Sequence, residues 1–246
     1  MLADLLPEHR VSGVYHDAYH LELLEYFCRY AAENEYKPDV IILPINMRSF
    51  SNERVQRSEY QFVREKLFLS NRGLPFASFF RPLAVLRAFD LRPISEKEYL
   101  DIENFDGSVR LGTFREIQNL DDDKRLQLHL RACYRYQLDD AHPHVEAMAR
   151  IALSCQDAGI RLIVYSTPID YERGDAAIGP GFSTGIRRNL AVVESTLAKY
   201  DLELLNLTFA FEKDSFAHDS HPDAYIRSAG KLFVAERLAE TIRGVN

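Results

Sequence analysis

Cysteine is scarce and unpatterned: Cys28, Cys133 and Cys155 are the only three in 246 residues, and none forms a Cys-x-x-Cys pair. An odd count in a chain of this size does not make a disulfide framework, so the three read as small buried hydrophobes in a reducing setting. Long apolar runs are missing too. No window approaches 18 consecutive apolar residues, and the start, MLADLLPEHR, has no basic region ahead of an apolar stretch. No membrane segment or secretory signal is expected in the chain as written, and cytoplasmic is the default location. Positive charge is in deficit, with 30 Lys and Arg against 37 Asp and Glu for a net −7. That removes the positive field a nucleic-acid partner would require. There is no Gly-rich phosphate loop, and no cofactor is expected.

Hydrophobic residues make up 46% of the chain. At this length folding buries roughly 70–75% of the unfolded surface, enough for one core without staples. A single α/β domain spanning 1–246 is expected. Four short apolar segments followed by turn chemistry read as buried strands: VSGVY from Val11, DVIILPI from Asp39, IRLIVYS from Ile160 and LELLNL from Leu202. Helical patterns alternate with them: HLELLEYFCRYAAEN, HVEAMARIALSCQDAG, TGIRRNLAVVESTLAKY and a closing AYIRSAGKLFVAERLAETIRG. That alternation predicts βαβ units with a mostly parallel sheet and helices on both faces. The aromatic, Arg-rich and Pro-rich stretch 51–140 breaks the rhythm and reads as a helical insertion or lid over the sheet's carboxyl edge.

Candidate chemistry lies in a few places. In SFAHDSHPDAYIRSAG a His and an Asp precede the last helix, so His221 could take a hydroxyl proton while Asp219 fixes its tautomer. Capping and solvation account for the same pair. In DVIILPINMRSFS an apolar strand delivers Asn46, Arg48, Ser49 and Ser51 to its carboxyl end. There Asn46 can donate to an oxyanion and Arg48 can hold a carboxylate or phosphate, unless Asn46 and Ser49 simply cap the next turn. Two metal spacings occur, His16 with His20 and His218 with His221. The first lacks a third ligand and the second competes with the His–Asp reading, so no metal is expected. Asp121, Asp122 and Asp123, like the pair Asp139 and Asp140, read as solvated loop charge.

With Asn46 and the Asp219–His221 segment placed, the chain resembles the SGNH (GDSL-type) hydrolase superfamily. The residues carrying the likeness are PDVIILPINMRSFS, IRLIVYSTPIDYE, HDSHPDAYIRSAGKLFVAERLAETI and the lead-in YRYQLDDAHPHVEAMARIA. The resemblance implies a flavodoxin-like three-layer α/β sandwich. It also implies a serine esterase or O-acyltransferase that acts on an acylated carbohydrate or small ester through an acyl-enzyme. In that scheme His221 is the base, Asp219 its partner and Asn46 the oxyanion donor, with Arg48 and Ser49 beside the substrate. The Asp-x-His spacing is similar to that of alginate-type O-acetyltransferase domains. The family's Gly-Asp-Ser or Gly-Asn-Ser loop has no counterpart. The likeness aligns VSGVY with the second strand and puts the Ser-bearing strand before Met1. If so, the native protein is longer and its anchor and location lie upstream. Otherwise VSGVY takes the central position in a non-catalytic binding or assembly domain, or Ser49 or Ser51 serves as nucleophile.

Overall fold

The structure, a computed structural model, describes residues 1–14, 20–33, 35, 37–51, 66, 69, 92–94, 109–111, 121–217 and 225–244. Its centre is a parallel sheet of three strands: β1 (Val40–Ile45), β4 (Arg161–Ser166) and β5 (Leu204–Asn206), in the order β1-β4-β5. Each is one of the expected apolar runs. Alternation along them supplies two apolar faces, as burial on both sides requires. Leu43, Ile45, Leu162 and Val164 face a core closed by α2 (Leu21–Glu33), α4 (Pro143–Ala158) and α6 (Gly181–Ala198). Val40, Ile42, Ile163 and Leu205 face Val234 and Leu238 of α7 (Ser228–Arg243) and Leu2 of α1 (Leu2–Leu5). Helices therefore cover both faces, as the alternation predicts.

Local signals explain the helix ends. In α4, Pro143 occupies the first turn, and the His142 side chain caps the start by accepting from the His144 N–H. Gly159 ends the helix at φ 69, the left-handed conformation that glycine adopts without penalty. Asp121 caps α3 (Asp122–Tyr134) by accepting from the Lys124 N–H at 2.8 Å. The acidic run thus starts a helix rather than decorating a loop. Arg161, at the amino end of β4, donates to the Thr241 and Ile242 carbonyls in the last turn of α7 at 2.6 and 2.8 Å. A cation there complements the helix dipole. It also means α7 runs against the strands, with its first turn toward their carboxyl ends. Phe211, just past β5, packs there on Phe233 and lies where a Cβ on Gly230 would point.

The structure corrects two expectations. Residues 11–14 are not a strand: they take no regular structure, and Val14 is 59% exposed. The valine-rich motif has strand propensity, but no described strand pairs with it, and propensity without a partner does not make a strand. This also removes 11–14 from the central sheet position. Second, the stretch 51–140 is not purely helical, since β2 (Arg92–Ile94) and β3 (Val109–Leu111) pair in parallel within it. Apart from these strands, Ser51, Lys66, Leu69 and the part from Asp121 onward, that stretch lies outside the described residues.

The helix pair α5 (Tyr171–Ile178) and α6 approaches closely at Gly174, where a Cβ would lie 2.1 Å from the Phe182 ring. Phe182 is buried and meets Tyr134 edge-on at 5.2 Å. In an open helix Gly→Ala would gain up to about 1 kcal/mol. Here Gly174→Ala is expected to lower stability by about 1–3 kcal/mol through overpacking, read as a lower urea midpoint at unchanged slope.

Candidate functional site at the carboxyl end of the sheet

β1 ends in a 3-10 turn (Met47–Phe50) that, with its cap, carries three of the expected site residues. Asn46 is its cap, with Oδ1 accepting from the Arg48 N–H at 3.0 Å. This is the capping role that the residue type allowed. It also orients the side chain, leaving the amide NH2 as the half that can donate elsewhere. Arg48 and Ser49 are half-buried on the turn, Phe50 is fully buried, and Ser51 behind it has 0% exposure. The Tyr136 hydroxyl donates to the Met47 carbonyl and props the turn from below. Burial pushes that phenol well above its ordinary range, so it stays a donor.

The ends of β4 and β5 are tied by a polar network that sequence reading missed. The Ser166 hydroxyl accepts from the Leu207 N–H at 3.0 Å and shares a 2.8 Å bond with Thr208 Oγ1. It also meets Asn206 Oδ1 at 3.1 Å. Asn206 Oδ1 also accepts from the Thr208 N–H at 3.2 Å, and its amide donates to Glu194 at 3.1 Å. Ser166 has no hydroxyl capacity to spare, so the network fixes strand ends rather than supplying a nucleophile.

A second unforeseen feature sits beneath the 3-10 turn. His20, whose carbonyl accepts the Leu23 and Leu24 N–H groups at the start of α2, stacks on His144 of α4 with ring centroids 5.2 Å apart. His142 meets His144 edge-on at 5.7 Å, and Phe50 lies against both His142 and His144 at 6.1 Å. Burial, then the proximity of His20 and His142, drives the His144 pKa down to about 3, with the nearby Ser49 backbone opposing this only in part. Burial also lowers His142, against the pull of Asp139. Neutral imidazoles are what a site at two helix N-termini should hold. Residues 124 positions apart make this contact, so no local motif announces it. The nearest signal is a His directly ahead of each helix.

Residues 218–224, with Asp219, His221 and His218, lie outside the described residues, as does His16. The flanking strands β6 (Phe216–Ala217) and β7 (Tyr225–Ile226) pair antiparallel, and β7 leads directly into the first turn of α7. Among the described residues no group of three or more His, Cys, Asp or Glu is arranged to hold a metal, and no helix is long and apolar enough to cross a membrane. His20 stacks on His144, and the other half of its metal spacing, His16, lies outside the described residues. The three cysteines are free and buried. Comparison with protein-family models, with curated proteins and with solved structures gave no match.

Proposed function

We propose that the chain is an SGNH-like acyl-transfer domain, a serine esterase or O-acyltransferase that works on an acylated carbohydrate or small ester. The observation that carries this reading is Asn46, which stands at the carboxyl end of a parallel strand with its carbonyl oxygen tied down and its NH2 left to donate. Ligands of open α/β sheets bind at that edge. The order β1-β4-β5 with helices on both faces is compatible with the third, fourth and fifth strands of a flavodoxin-like sheet. Further support comes from α7, whose direction brings β7, the neighbour of the His221 segment, toward the same end.

In this scheme His221 accepts the proton of a serine hydroxyl as its oxygen attacks the acyl carbon, and Asp219 holds the imidazole in the right tautomer. Negative charge on the carbonyl oxygen is met by the Asn46 NH2. The protonated His221 then protonates the leaving alcohol, and the acyl group passes from serine to water or to a sugar hydroxyl. Arg48 and Ser49, on the same turn, line the approach. Ser166 is saturated and Ser51 is fully buried, so neither is that serine. Hydrolysis of p-nitrophenyl acetate by the folded full-length protein, lost in His221→Ala, is the expected result. A folded full-length protein with no turnover above background counts against an esterase.

One observation favours a non-catalytic binding or assembly domain of the same fold. Asp39 and Ile45 direct their carbonyls to β4, so alternation turns Pro44 toward the open edge of β1. Proline offers no N–H there. In the family the serine-bearing strand lies along that edge, and at Pro44 it would lose a ladder bond.

A further inference from the structure

The cluster under the 3-10 turn holds more buried polar atoms than it satisfies. Among the described residues, both ring nitrogens of His144, Nε2 of His142 and the Ser51 hydroxyl are buried with no hydrogen-bond partner in reach. Such groups are rare in folded proteins, and each calls for a physical explanation. Among the described residues no group of three or more ligands is arranged there to hold a metal. Anion binding at the start of α4 is not the explanation: Pro143 has no N–H there, and the next two N–H groups are taken by His142, one by Nδ1 and one by its carbonyl.

What the arrangement does provide is intolerance of protons. The cap of α4 depends on His142 Nδ1 being an acceptor, at 3.2 Å from the His144 N–H. A proton on Nδ1 turns that contact into donor against donor. A proton on His144 puts a cation between two other imidazoles and at the positive ends of two helices. The charged groups nearby are poorly placed to compensate. Glu22 is ion-paired with the buried Lys66 at 3.0 Å, and Asp139 already accepts from the Ala141 N–H. Arg48 adds positive charge on the turn itself, and Tyr136 stays neutral.

We propose that His20, His142 and His144 form an acid-released latch on the turn Met47–Phe50: protonation breaks the cap of α4, takes away the aromatic bed of Phe50 and lets the turn carrying Asn46 open. That such opening would switch off acyl transfer rests on the function proposed above; the latch itself does not. The sign follows from linkage. Opened, His144 regains an ordinary pKa near 6.5; closed, it stays near 3. The open form therefore binds the extra proton, and opening is favoured as pH falls below 6.5.

The test is hydrogen exchange of the whole chain at pH 6.5 and 5.0, corrected for intrinsic rates and read in peptides covering 44–51 and 160–166. Carboxylates in their ordinary range titrate little in that window. Protection of the turn should fall by about fifteenfold between those two pH values for one proton taken up at a group that titrates near 6.5 when open, with the β4 peptide unchanged. In His142→Asn/His144→Phe, which keeps a capping side chain and an aromatic ring but cannot be protonated at either position, the fall should disappear. Equal protection of the turn at both pH values, or a full fall in the double variant, overturns the latch. If the variant does not fold, NMR of the wild-type histidine rings decides. Titration of His144 near 6.5 with the turn still protected also overturns it. Exchange does not depend on turnover, so failure of the latch and failure of the esterase reading are separate results.

Discussion

On the acyl-transfer proposal, Asn46→Ala should lower kcat for ester turnover by about 10²- to 10³-fold with little change in KM, because an oxyanion donor acts on charge that develops only as the carbonyl is attacked. Alanine also removes the acceptor for the Arg48 N–H, so about 0.5–2 kcal/mol of stability should go with it. The two effects separate in Asn46→Asp. Aspartate keeps an oxygen for the cap and has no NH2 for an oxyanion, so stability should stay near wild type while kcat falls as far as in the alanine variant. Kinetics with p-nitrophenyl acetate beside urea unfolding reads both. An Asn46→Asp enzyme with wild-type kcat would leave Asn46 as a cap and nothing more.

The second large effect is expected far from that atom. Asn189 of α6 is buried and satisfies two backbone groups of one loop, accepting from the Leu138 N–H at 3.1 Å and donating to the Tyr136 carbonyl at 2.9 Å. Asn189→Ala strands both groups in the interior at about 1–3 kcal/mol each, so a loss of about 2–5 kcal/mol is expected. Asn189→Asp does not rescue it, because a carboxylate cannot donate to the Tyr136 carbonyl. The same loop props the 3-10 turn through the Tyr136 hydroxyl and the Met47 carbonyl. Exchange protection at Met47–Phe50 should therefore drop further than that at β4, where direct hydrogen bonds to β1 and β5 remain. Urea unfolding followed by exchange in the two peptides checks both parts. A stability loss well below 1 kcal/mol would mean that water replaces Asn189 without penalty.

The features of this fold legible in the sequence are those written in local pattern. DVIILPI, IRLIVYS and LELLNL are runs that only a doubly covered sheet can bury, and they are the three strands of the sheet. Among the helices between them, α3, α4 and α5 carry capping residues, and α4 has a closing glycine. VSGVY has the same composition yet stays irregular at 11–14, because strand formation depends on a partner that local sequence does not specify. The two-residue strands β6 and β7 are too short to leave a period. At the site, Asn46 was legible as both a cap and a donor, and the structure shows the cap. The Ser166–Asn206–Thr208 tie and the His20–His144 stack join residues 40 or more positions apart, and neither has a motif that could have revealed it.

The most direct test of acyl transfer at this edge is covalent. The folded full-length protein would be treated with a fluorophosphonate, its intact mass measured, and the modified peptide located. One adduct per chain on a serine other than Ser51 or Ser166, absent in His221→Ala, is the predicted result. A folded full-length protein of unaltered mass would contradict the enzyme and leave the Pro44-edged sheet as the frame of a binding domain.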